Sequence, residues 1–339
     1  MENIKILIIQ TSFIGDAVLT LPMIQILKGK YPNSNIDVLT IPATESIFSH
    51  SPSVANVIVY DKRGKDKGIK KLLMLGNKLK SEKYDLLFSP HRSFRSAVLT
   101  LLSQVQETYG FDNASLKYAY KYSVKYKIED HEVLRNLTLA GFSVSEDNWK
   151  IFPKININET IEKKIDEFLI NNKIKNYVCI APGSVWETKV YPVEYYNKII
   201  EFCISKNYSV VISGSSKEMN KCLQLEKCFS KNVVSSAGLF SIIETIELIR
   251  RSNLLICNDS APTHFGMAVN VPVITLYCST VAKFGFYPYN KKSIFLSYDN
   301  LKCKPCGIHG YKKCPVDTFD CAVKLKPEMV FNAIDKILV

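Results

Sequence analysis

Short apolar runs, each followed by a polar loop and a helical pattern, recur along this chain. The clearest case is the segment 254–277, LLICNDSAPTHFGMAVNVPVITLY. It opens with the apolar residues 254–257, breaks into the polar loop 258–261, and ends in a second apolar run after Pro272. Short apolar runs bounded by turn residues are typical of buried strands. The order therefore predicts strand, loop, helix and strand, with the helix starting at Pro262.

The N-terminal half opens with the same order of patterns. Ile4 to Gln10 form a predicted buried strand, followed by the loop 11–16 and by an apolar helical pattern from Ala17 to Leu27. A proline inside a helix removes a hydrogen bond, so Pro22 predicts that this helix starts late, near Thr20, or kinks. The rhythm continues with predicted strands at 36–40, 54–60 and 84–88 and predicted helices at 68–80, 97–102 and 131–140.

A second series of the same kind starts at Tyr177. A strand is predicted at 177–181, the loop 182–192 follows, and a helix is predicted from Val193 to Lys206. Because this series repeats the order of the N-terminal half, the chain predicts an α/β fold of two Rossmann-like parallel-sheet domains that face a central cleft. The polar segment 156–176, with a predicted helix at 159–171, suits an inter-domain connection.

Length and charge narrow the class of protein. A chain of 339 residues with 47% hydrophobic content can bury two cores of ordinary size. Its net charge of +12 favours nucleic acid, anionic lipid or a phosphorylated substrate as a partner. The excess of Lys, Asn and Ile along the whole chain is equally consistent with a biased genomic composition. Because the sequence has neither a signal-peptide pattern nor an apolar run of ~18 residues, we expect a cytoplasmic protein, soluble or held loosely at a membrane face.

The cysteines allow two interpretations. Ten cysteines in a cytoplasmic chain are expected to be mostly thiols. Cys303, Cys306, Cys314 and Cys321 fall in one loop-rich segment and supply enough sulfur atoms for a tetrahedral zinc or iron site. The second pair lacks CxxC spacing, so packed or redox-inert thiols are the other interpretation, and the sequence leaves the choice open.

Polar residues that follow predicted strands are candidates for function in the first domain. Asp16 comes after the first strand, at the carboxyl end of a parallel sheet, where functional groups collect in open α/β folds. His91, Arg92 and Arg95 follow the strand at 84–88 and face the same edge. Guanidinium groups match carboxylates and phosphates, so these residues are a candidate site for an acidic acceptor. The alternatives are a helix cap for Asp16 and a solvated basic helix start for the other three.

The loop 258–261 is the candidate anion site of the second domain. A helix that begins after such a loop points N–H groups and the positive end of its dipole into the crevice. Asp259 and His264 would suit a sugar or ribose beside a phosphate, although a packed histidine is the plainer interpretation of His264. A hydrolase triad of Asp259, Ser260 and His264 is disfavoured, because the G-x-S-x-G elbow is absent.

These groups fit the transfer of a sugar from a nucleoside diphosphate. Such a reaction needs a base that takes the proton of the acceptor hydroxyl, and cations or dipoles that stabilise the departing pyrophosphate. Asp16 suits the first role, and Ser184, Lys189 and the helix start at 261–264 suit the second. No DxD motif occurs in the chain, so we expect neither a metal clamp nor a cofactor.

Several motifs also occur together in the order of a known family. Gly15-Asp16 follow the first strand, and the segment 182–192 contains Pro-Gly-Ser, Trp186, Lys189 and Tyr-Pro. Gly214 with Glu218 and the segment 258–264 come next. This combination resembles the ADP-heptose:lipopolysaccharide heptosyltransferases of glycosyltransferase family 9 over almost the whole chain. The cysteine-containing tail, 303–321, looks like the branch that transfers the second heptose.

The resemblance implies a GT-B fold and an inverting, metal-independent transfer. The acceptor would be held by the N-terminal domain, 1–155, and the nucleotide sugar by the C-terminal domain, 177–325. The last helix, within 326–339, would cross back to the N-terminal domain. Asp16 matches the catalytic base, and Lys189 a donor-phosphate contact with a catalytic role. The other positions that match donor contacts are Ser184, Glu218 (the adenosine ribose), Asp259, Ser260, Ala261 and His264. Ala261 and Tyr191 depart from the family pattern, which commonly has glycine and tryptophan there.

The expected function is transfer of a heptose from ADP-heptose to the inner-core oligosaccharide of lipopolysaccharide, with inversion at the sugar carbon. The partners would be an ADP-sugar and an anionic lipid-linked acceptor, with peripheral contact at the inner membrane face and no nucleic acid. Two alternatives stay open. One is sugar transfer to a protein by the same fold, and the other is non-catalytic binding of a nucleotide or nucleic acid, to which the basic aromatic stretch 117–127 would contribute.

Overall fold

The computed structural model of the protein describes residues 4–143, 145, 148–229 and 231–338. The chain divides into two compact units, with the boundary between Asn156 and Ile157. Each unit contains one six-stranded sheet whose neighbouring strands all run parallel. Because helices connect the strands, the α/β class predicted from the alternating patterns is confirmed.

The first unit has the strand order β3-β2-β1-β4-β5-β6. Its strands are β1 (Lys5–Ile9), β2 (Asn35–Thr40), β3 (Asn56–Val59), β4 (Leu86–Ser89), β5 (Glu107–Phe111) and β6 (Tyr122–Val124). Its helices are α1 (Ile14–Lys30), α2 (Glu45–Ser49), α3 (Ile69–Ser81), α4 (Phe94–Ser103) and α5 (Glu132–Leu139). The central strand β1 is buried almost throughout, which explains its continuous apolar run.

The second unit repeats this topology with the strand order β12-β11-β10-β7-β8-β9. Its strands are β7 (Tyr177–Ala181), β8 (Ser209–Ile212), β9 (Val233–Ser235), β10 (Leu254–Asn258), β11 (Val273–Tyr277) and β12 (Ile294–Ser297). Its helices are α6 (Glu159–Asn171), α7 (Val193–Ser205), α8 (Met219–Lys227), α9 (Ile242–Arg250), α10 (Ala261–Ala268), α11 (Asp320–Val323) and α12 (Pro327–Leu338). In both units the order reverses between the first and fourth strands, and such a switch point is where open α/β sheets bind ligands.

Helix α1 starts earlier than predicted. It begins at Ile14 rather than near Thr20, and Pro22 lies in its interior. Every residue from Ala17 to Ile24 is buried, so the helix is packed on several sides. An interior proline costs about 3 kcal/mol, and burial of the neighbouring apolar side chains outweighs that cost here.

Two terminal segments of the second unit bear on the expected domain boundaries. The segment 156–176 contains α6, which packs against α9 and pairs Lys164 with Glu244 at 2.8 Å. Helix α12 packs against α7, where Phe331 stacks on Phe202 with ring centroids 4.4 Å apart. Both helices belong to the second unit, and the crossing of 326–339 to the N-terminal domain stays a prediction. None of the helices in the described part of the chain has the length and hydrophobicity needed to cross a bilayer.

Candidate functional site

Asp16 lies in the first turn of α1, at the carboxyl end of β1. Its Oδ2 accepts a hydrogen bond of 3.2 Å from the backbone N–H of Phe13, so the carboxylate does cap the helix. The side chain is only partly buried. The charge of Asp16 contributes to raising the pKa values of Glu132 and Tyr126, which places both side chains near its carboxylate.

The neighbourhood of Asp16 includes a buried ion pair that the sequence analysis missed. Arg135 pairs with Oε2 of Glu132 at 2.7 Å, and their side chains are 1% and 9% exposed. Burial raises the pKa of Glu132 to about 7, although Arg135 lowers it. The guanidinium carbons of Arg92 and Arg135 lie 4.0 and 4.6 Å from the ring centroid of Tyr126. The structure therefore brings Arg92 into the group around Asp16. Tyr126 was expected on an exposed basic aromatic face, but it packs inside the same group.

The two other predicted acceptor residues, His91 and Arg95, lie near a lysine that the sequence analysis also missed. The Thr11 hydroxyl lies 2.8 Å from His91 Nδ1, and Lys62 donates to the Thr11 carbonyl at 2.6 Å. Burial, with the charges of Lys62 and Arg92, lowers the pKa of His91 to about 4, so this ring is neutral at pH 7. Burial and the charges of Arg63 and Arg95 lower the pKa of Lys62. The sequence could have identified Lys62 as a candidate, because it follows β3 closely and so lies at the same carboxyl edge of the sheet as the other candidates.

In the second unit, Asn258 at the end of β10 holds the loop 182–192 in place. Its Oδ1 accepts hydrogen bonds from the N–H of Tyr191 at 3.1 Å and the hydroxyl of Tyr196 at 2.9 Å. Its Nδ2 donates to the carbonyl of Pro182 at 2.6 Å. Asn258 is fully buried, so this amide fixes the two loops that carry the predicted donor residues relative to each other.

Lys189 and Asp259 form an ion pair between these two loops. Lys189 Nζ lies 2.6 Å from Asp259 Oδ2, and the side chains are 13% and 10% exposed. The hydroxyl of Thr280 donates to the same oxygen at 2.6 Å. An ammonium has three donors, so Lys189 can keep this partner and still bind an oxyanion.

His264 lies beside that ion pair on α10. Its side chain is 4% exposed, and Nδ1 has no hydrogen-bond partner. Burial lowers the pKa of His264 to about 4, with Asp259 raising it and Lys189 lowering it. The ring is therefore neutral at pH 7 and can offer either a donor or an acceptor to a bound ligand.

The start of α10 offers fewer backbone donors than expected. The helix begins at Ala261, one residue before the predicted start. Pro262 has no N–H, and the N–H of Thr263 donates to the carbonyl of Ser260 at 3.1 Å. Neither Pro262 nor Thr263 therefore has a free N–H to offer an anion at this helix start.

Glu218 and Ser184 flank Gly183. The carboxylate of Glu218 accepts hydrogen bonds from the N–H and hydroxyl of Ser215 at 2.8 and 2.7 Å. A Cβ at Gly183 would lie 1.6 Å from Glu218 Oε1, so a larger residue there would displace the Glu218 carboxylate from this position. The Ser184 hydroxyl accepts from the N–H of Trp186 at 3.3 Å.

The cysteine-containing segment packs against the turn that carries Lys189. Thr188 exchanges hydrogen bonds of 3.1 and 2.8 Å with the backbone of Tyr311, and the Cys306 N–H donates to the Ser279 carbonyl at 2.8 Å. The sulfurs of Cys303, Cys306 and Cys314 contribute to raising the pKa of Cys321, so the four thiols lie near one another. Over the described residues, however, no group of three or more His, Cys, Asp or Glu side chains is arranged to hold a metal ion.

The chain is similar to known proteins at the level of a whole family and of single proteins. The family model described as Glycosyltransferase family 9 (heptosyltransferase) matches residues 72–313. Lipopolysaccharide heptosyltransferase 3 of Escherichia coli is 28% identical over 287 residues, which cover 79% of this chain and 82% of that protein. Lipooligosaccharide heptosyltransferase 2 of Campylobacter jejuni subsp. jejuni serotype O:6 is 24% identical over an alignment of 343 residues, covering 98% of this chain and 99% of that protein.

The fold is similar to that of a solved structure, E. coli ADP-heptose lps heptosyltransferase II. The two chains align with a TM-score of 0.81 at 20% sequence identity, over 99% of this chain and 98% of that chain. This likeness covers both units, and it confirms the predicted GT-B fold class.

Proposed function

The chain belongs to glycosyltransferase family 9 (heptosyltransferase), and we propose that it moves a heptose from ADP-heptose to the inner-core oligosaccharide of lipopolysaccharide, with inversion at the sugar carbon. The names of the two relatives support the acceptor, and the name of the solved structure supports the donor. Because the family consists of transferases, we do not retain the non-catalytic alternative. Transfer to a protein acceptor stays open as the second outcome of the test below.

The observation that carries the donor half of this proposal is the Lys189–Asp259 ion pair of 2.6 Å at the end of β10. A pyrophosphate that departs from the sugar gains negative charge, and a fixed ammonium stabilises that charge more strongly in a partly buried site than in water. Asp259 and Thr280 hold Lys189 in position for this role. Ser184, Ser260, Ala261 and His264 would contact the donor beside it, and Glu218 its ribose.

In the acceptor half, Asp16 is the proposed general base. It takes the proton of the acceptor hydroxyl while the oxygen forms a bond to the sugar carbon. The bond between that carbon and the phosphate oxygen breaks, and its electron pair leaves with ADP. Attack from the face opposite the leaving group inverts the configuration.

The positive residues of the first unit support an anionic acceptor. Arg92 lies in the group around Asp16, and Lys62 lies with His91 and Arg95 at the same sheet edge. Guanidinium and ammonium groups recognise the carboxylates and phosphates that such an acceptor carries. Because the acceptor is lipid-linked, we also propose that the protein works in the cytoplasm with peripheral contact at the membrane.

The test is the substitution of Asp16 in an assay with ADP-heptose and a lipid A–core acceptor. Asp16→Ala and Asp16→Asn should each lower turnover by about 10² or more, since both remove the base, while ADP affinity measured by calorimetry stays near wild type. The asparagine can still accept the Phe13 hydrogen bond, so its loss of turnover is not due to a lost helix cap.

Glu45→Ala serves as the matched control. Glu45 is an exposed carboxylate that opens α2 at the same sheet edge, and its removal should leave turnover unchanged. Wild-type turnover in Asp16→Asn would rule out Asp16 as the base. Absence of transfer by the wild-type protein to lipid A–core, with transfer to a protein acceptor, would replace the proposed acceptor.

A further inference from the structure

The outward side of α3 combines large apolar side chains with lysines. Ile69, Leu73 and Met74 are 76%, 46% and 55% exposed. The opposite side of the helix is buried against α4, where a Cβ on Gly76 would lie 2.5 Å from Leu102. We define the outer face of α3 as the three apolar residues together with the exposed lysines Lys70, Lys71, Lys78 and Lys80.

The charge of this region is strongly one-sided. Helix α3 contains no acidic residue, and the loop before it adds the exposed Arg63, Lys65 and Lys67. The two acidic residues of that loop, Asp61 and Asp66, accept hydrogen bonds from backbone N–H groups. Within the described ranges, none of the basic side chains from 63 to 80 forms an ion pair. Their positive charges are therefore available to an external partner.

The neighbouring helix α4 adds further exposed apolar area. Phe94 and Leu101 are 57% and 54% exposed, and their spacing of seven residues puts them on one side of the helix. Single exposed apolar residues are normal on a soluble protein, but several large ones on two packed helices, one of which carries exposed lysines, are the pattern of an interaction surface.

We propose that the outer face of α3 docks on an anionic lipid bilayer. A basic helix with exposed apolar residues lies in the plane of a membrane interface, where the apolar side chains enter the acyl boundary and the lysines meet lipid phosphates. Lysine stems are long enough to follow the apolar surface while their ammonium groups stay at the headgroups. Nucleic acid would pair with the lysines but leave Ile69, Leu73 and Met74 in water. A second copy of this face would bring like charges together.

The outer face of α3 is close in sequence to the proposed acceptor site. Lys62, at the carboxyl edge of the first sheet, belongs to the loop that leads into α3. The inference extends the lipid-linked acceptor proposed above and rests on that function for its biological role. Binding to lipid is measured without any acceptor, so the two proposals fail separately.

Vesicle co-sedimentation tests the proposal with the full chain. The vesicles contain phosphatidylcholine alone or equal parts of phosphatidylcholine and phosphatidylglycerol. Wild type should bind the mixed vesicles in a salt-sensitive way and bind phosphatidylcholine weakly. The variants Leu73→Ser/Met74→Ser and Lys70→Glu/Lys71→Glu should each bind the mixed vesicles at least about tenfold more weakly.

Matched changes on another exposed helix and loop give the control. Ile170→Ser/Lys175→Glu removes an apolar side chain that is 71% exposed and reverses an exposed lysine in the second unit, and it should bind as wild type does. Unchanged melting temperatures and ADP affinities would show that the α3 variants are folded. Wild-type vesicle binding by both α3 variants overturns the proposal. The proposal is also overturned if the wild-type protein binds no anionic vesicle but uses this face to bind a polynucleotide or a second copy of the chain.

Discussion

At the residue scale, the role of Lys189 depends on the partner that holds it. Its ammonium is paired with Asp259 in a mostly buried position, and Thr280 bonds the same carboxylate. Sequence motifs identified both ends of this pair as donor contacts. They did not indicate that the two residues contact each other, because that contact joins loops after different strands.

The pairing predicts separate effects on stability and on donor binding. Lys189→Met leaves Asp259 buried without its counter-ion, so the free energy of unfolding should fall by about 3 kcal/mol, and ADP affinity should fall as well. The double variant Lys189→Met/Asp259→Asn should regain much of the stability but not the affinity. Denaturant unfolding and calorimetry measure the two quantities. A double variant that regains ADP affinity would contradict a role for Lys189 in phosphate binding.

At the element scale, one helix with a local capping signal agreed with its prediction, whereas α4, which Ser93 caps, begins at Phe94 and not at the predicted Ala97. Helix α6 spans Glu159–Asn171 as predicted, and the Asn158 side chain accepts from the N–H of Ile161 at 3.0 Å. The predicted start of α1 near Thr20 was wrong. Pro22 suggested a late start, but burial of the surrounding residues keeps the helix continuous from Ile14. Local chemistry decides where a helix is capped, whereas packing decides whether an interior proline is tolerated.

Gly266 lets α10 approach the second sheet closely. A Cβ there would lie 2.4 Å from Cγ2 of Val273 on β11 and 3.3 Å from Cδ2 of Leu255 on β10. Gly266→Ala should therefore push the helix outward, cost about 1–3 kcal/mol of stability through overpacking, and weaken ADP binding because His264 moves with the helix.

Gly29→Ala is the control for that prediction. Gly29 lies near the end of α1, and nothing is within 4 Å of the position its Cβ would take. Alanine should stabilise the protein there by up to about 1 kcal/mol, since it favours the helix. Thermal unfolding separates the two variants. Equal stability of Gly266→Ala and wild type would show that the sheet yields to the added methyl group.

At the scale of the whole molecule, the two units share one topology but carry different chemistry. The first unit combines the carboxylate of Asp16 with several cations, whereas the second combines Lys189, Asp259 and a neutral His264. This difference in side chains after the strands fits the two different binding tasks proposed for the units.

This division predicts where a nucleotide protects the chain. Addition of ADP should slow amide hydrogen exchange in the loops 182–192 and 258–264, because all proposed donor contacts belong to the second unit. Exchange in the first unit, including the loop before α1, should change little. Mass spectrometry of peptides from both units measures the effect. Protection confined to the first unit would reverse the assignment of the donor.

The sequence by itself determined the class of fold, the repeat of two strand–loop–helix series and the positions of most functional candidates. Those features depend on local periodicity and on residues that directly follow strands, so they are visible along the chain. Only the tertiary structure decided that Glu132 and Arg135 form a buried pair near Asp16, that Lys62 joins His91, and that Lys189 meets Asp259. The contacts of Lys62 and Lys189 join residues from separate elements, whereas Glu132 and Arg135 share α5 and become a buried pair only when that helix packs against its neighbours. Burial, which influences the charge states of such groups, arises only when the elements pack together.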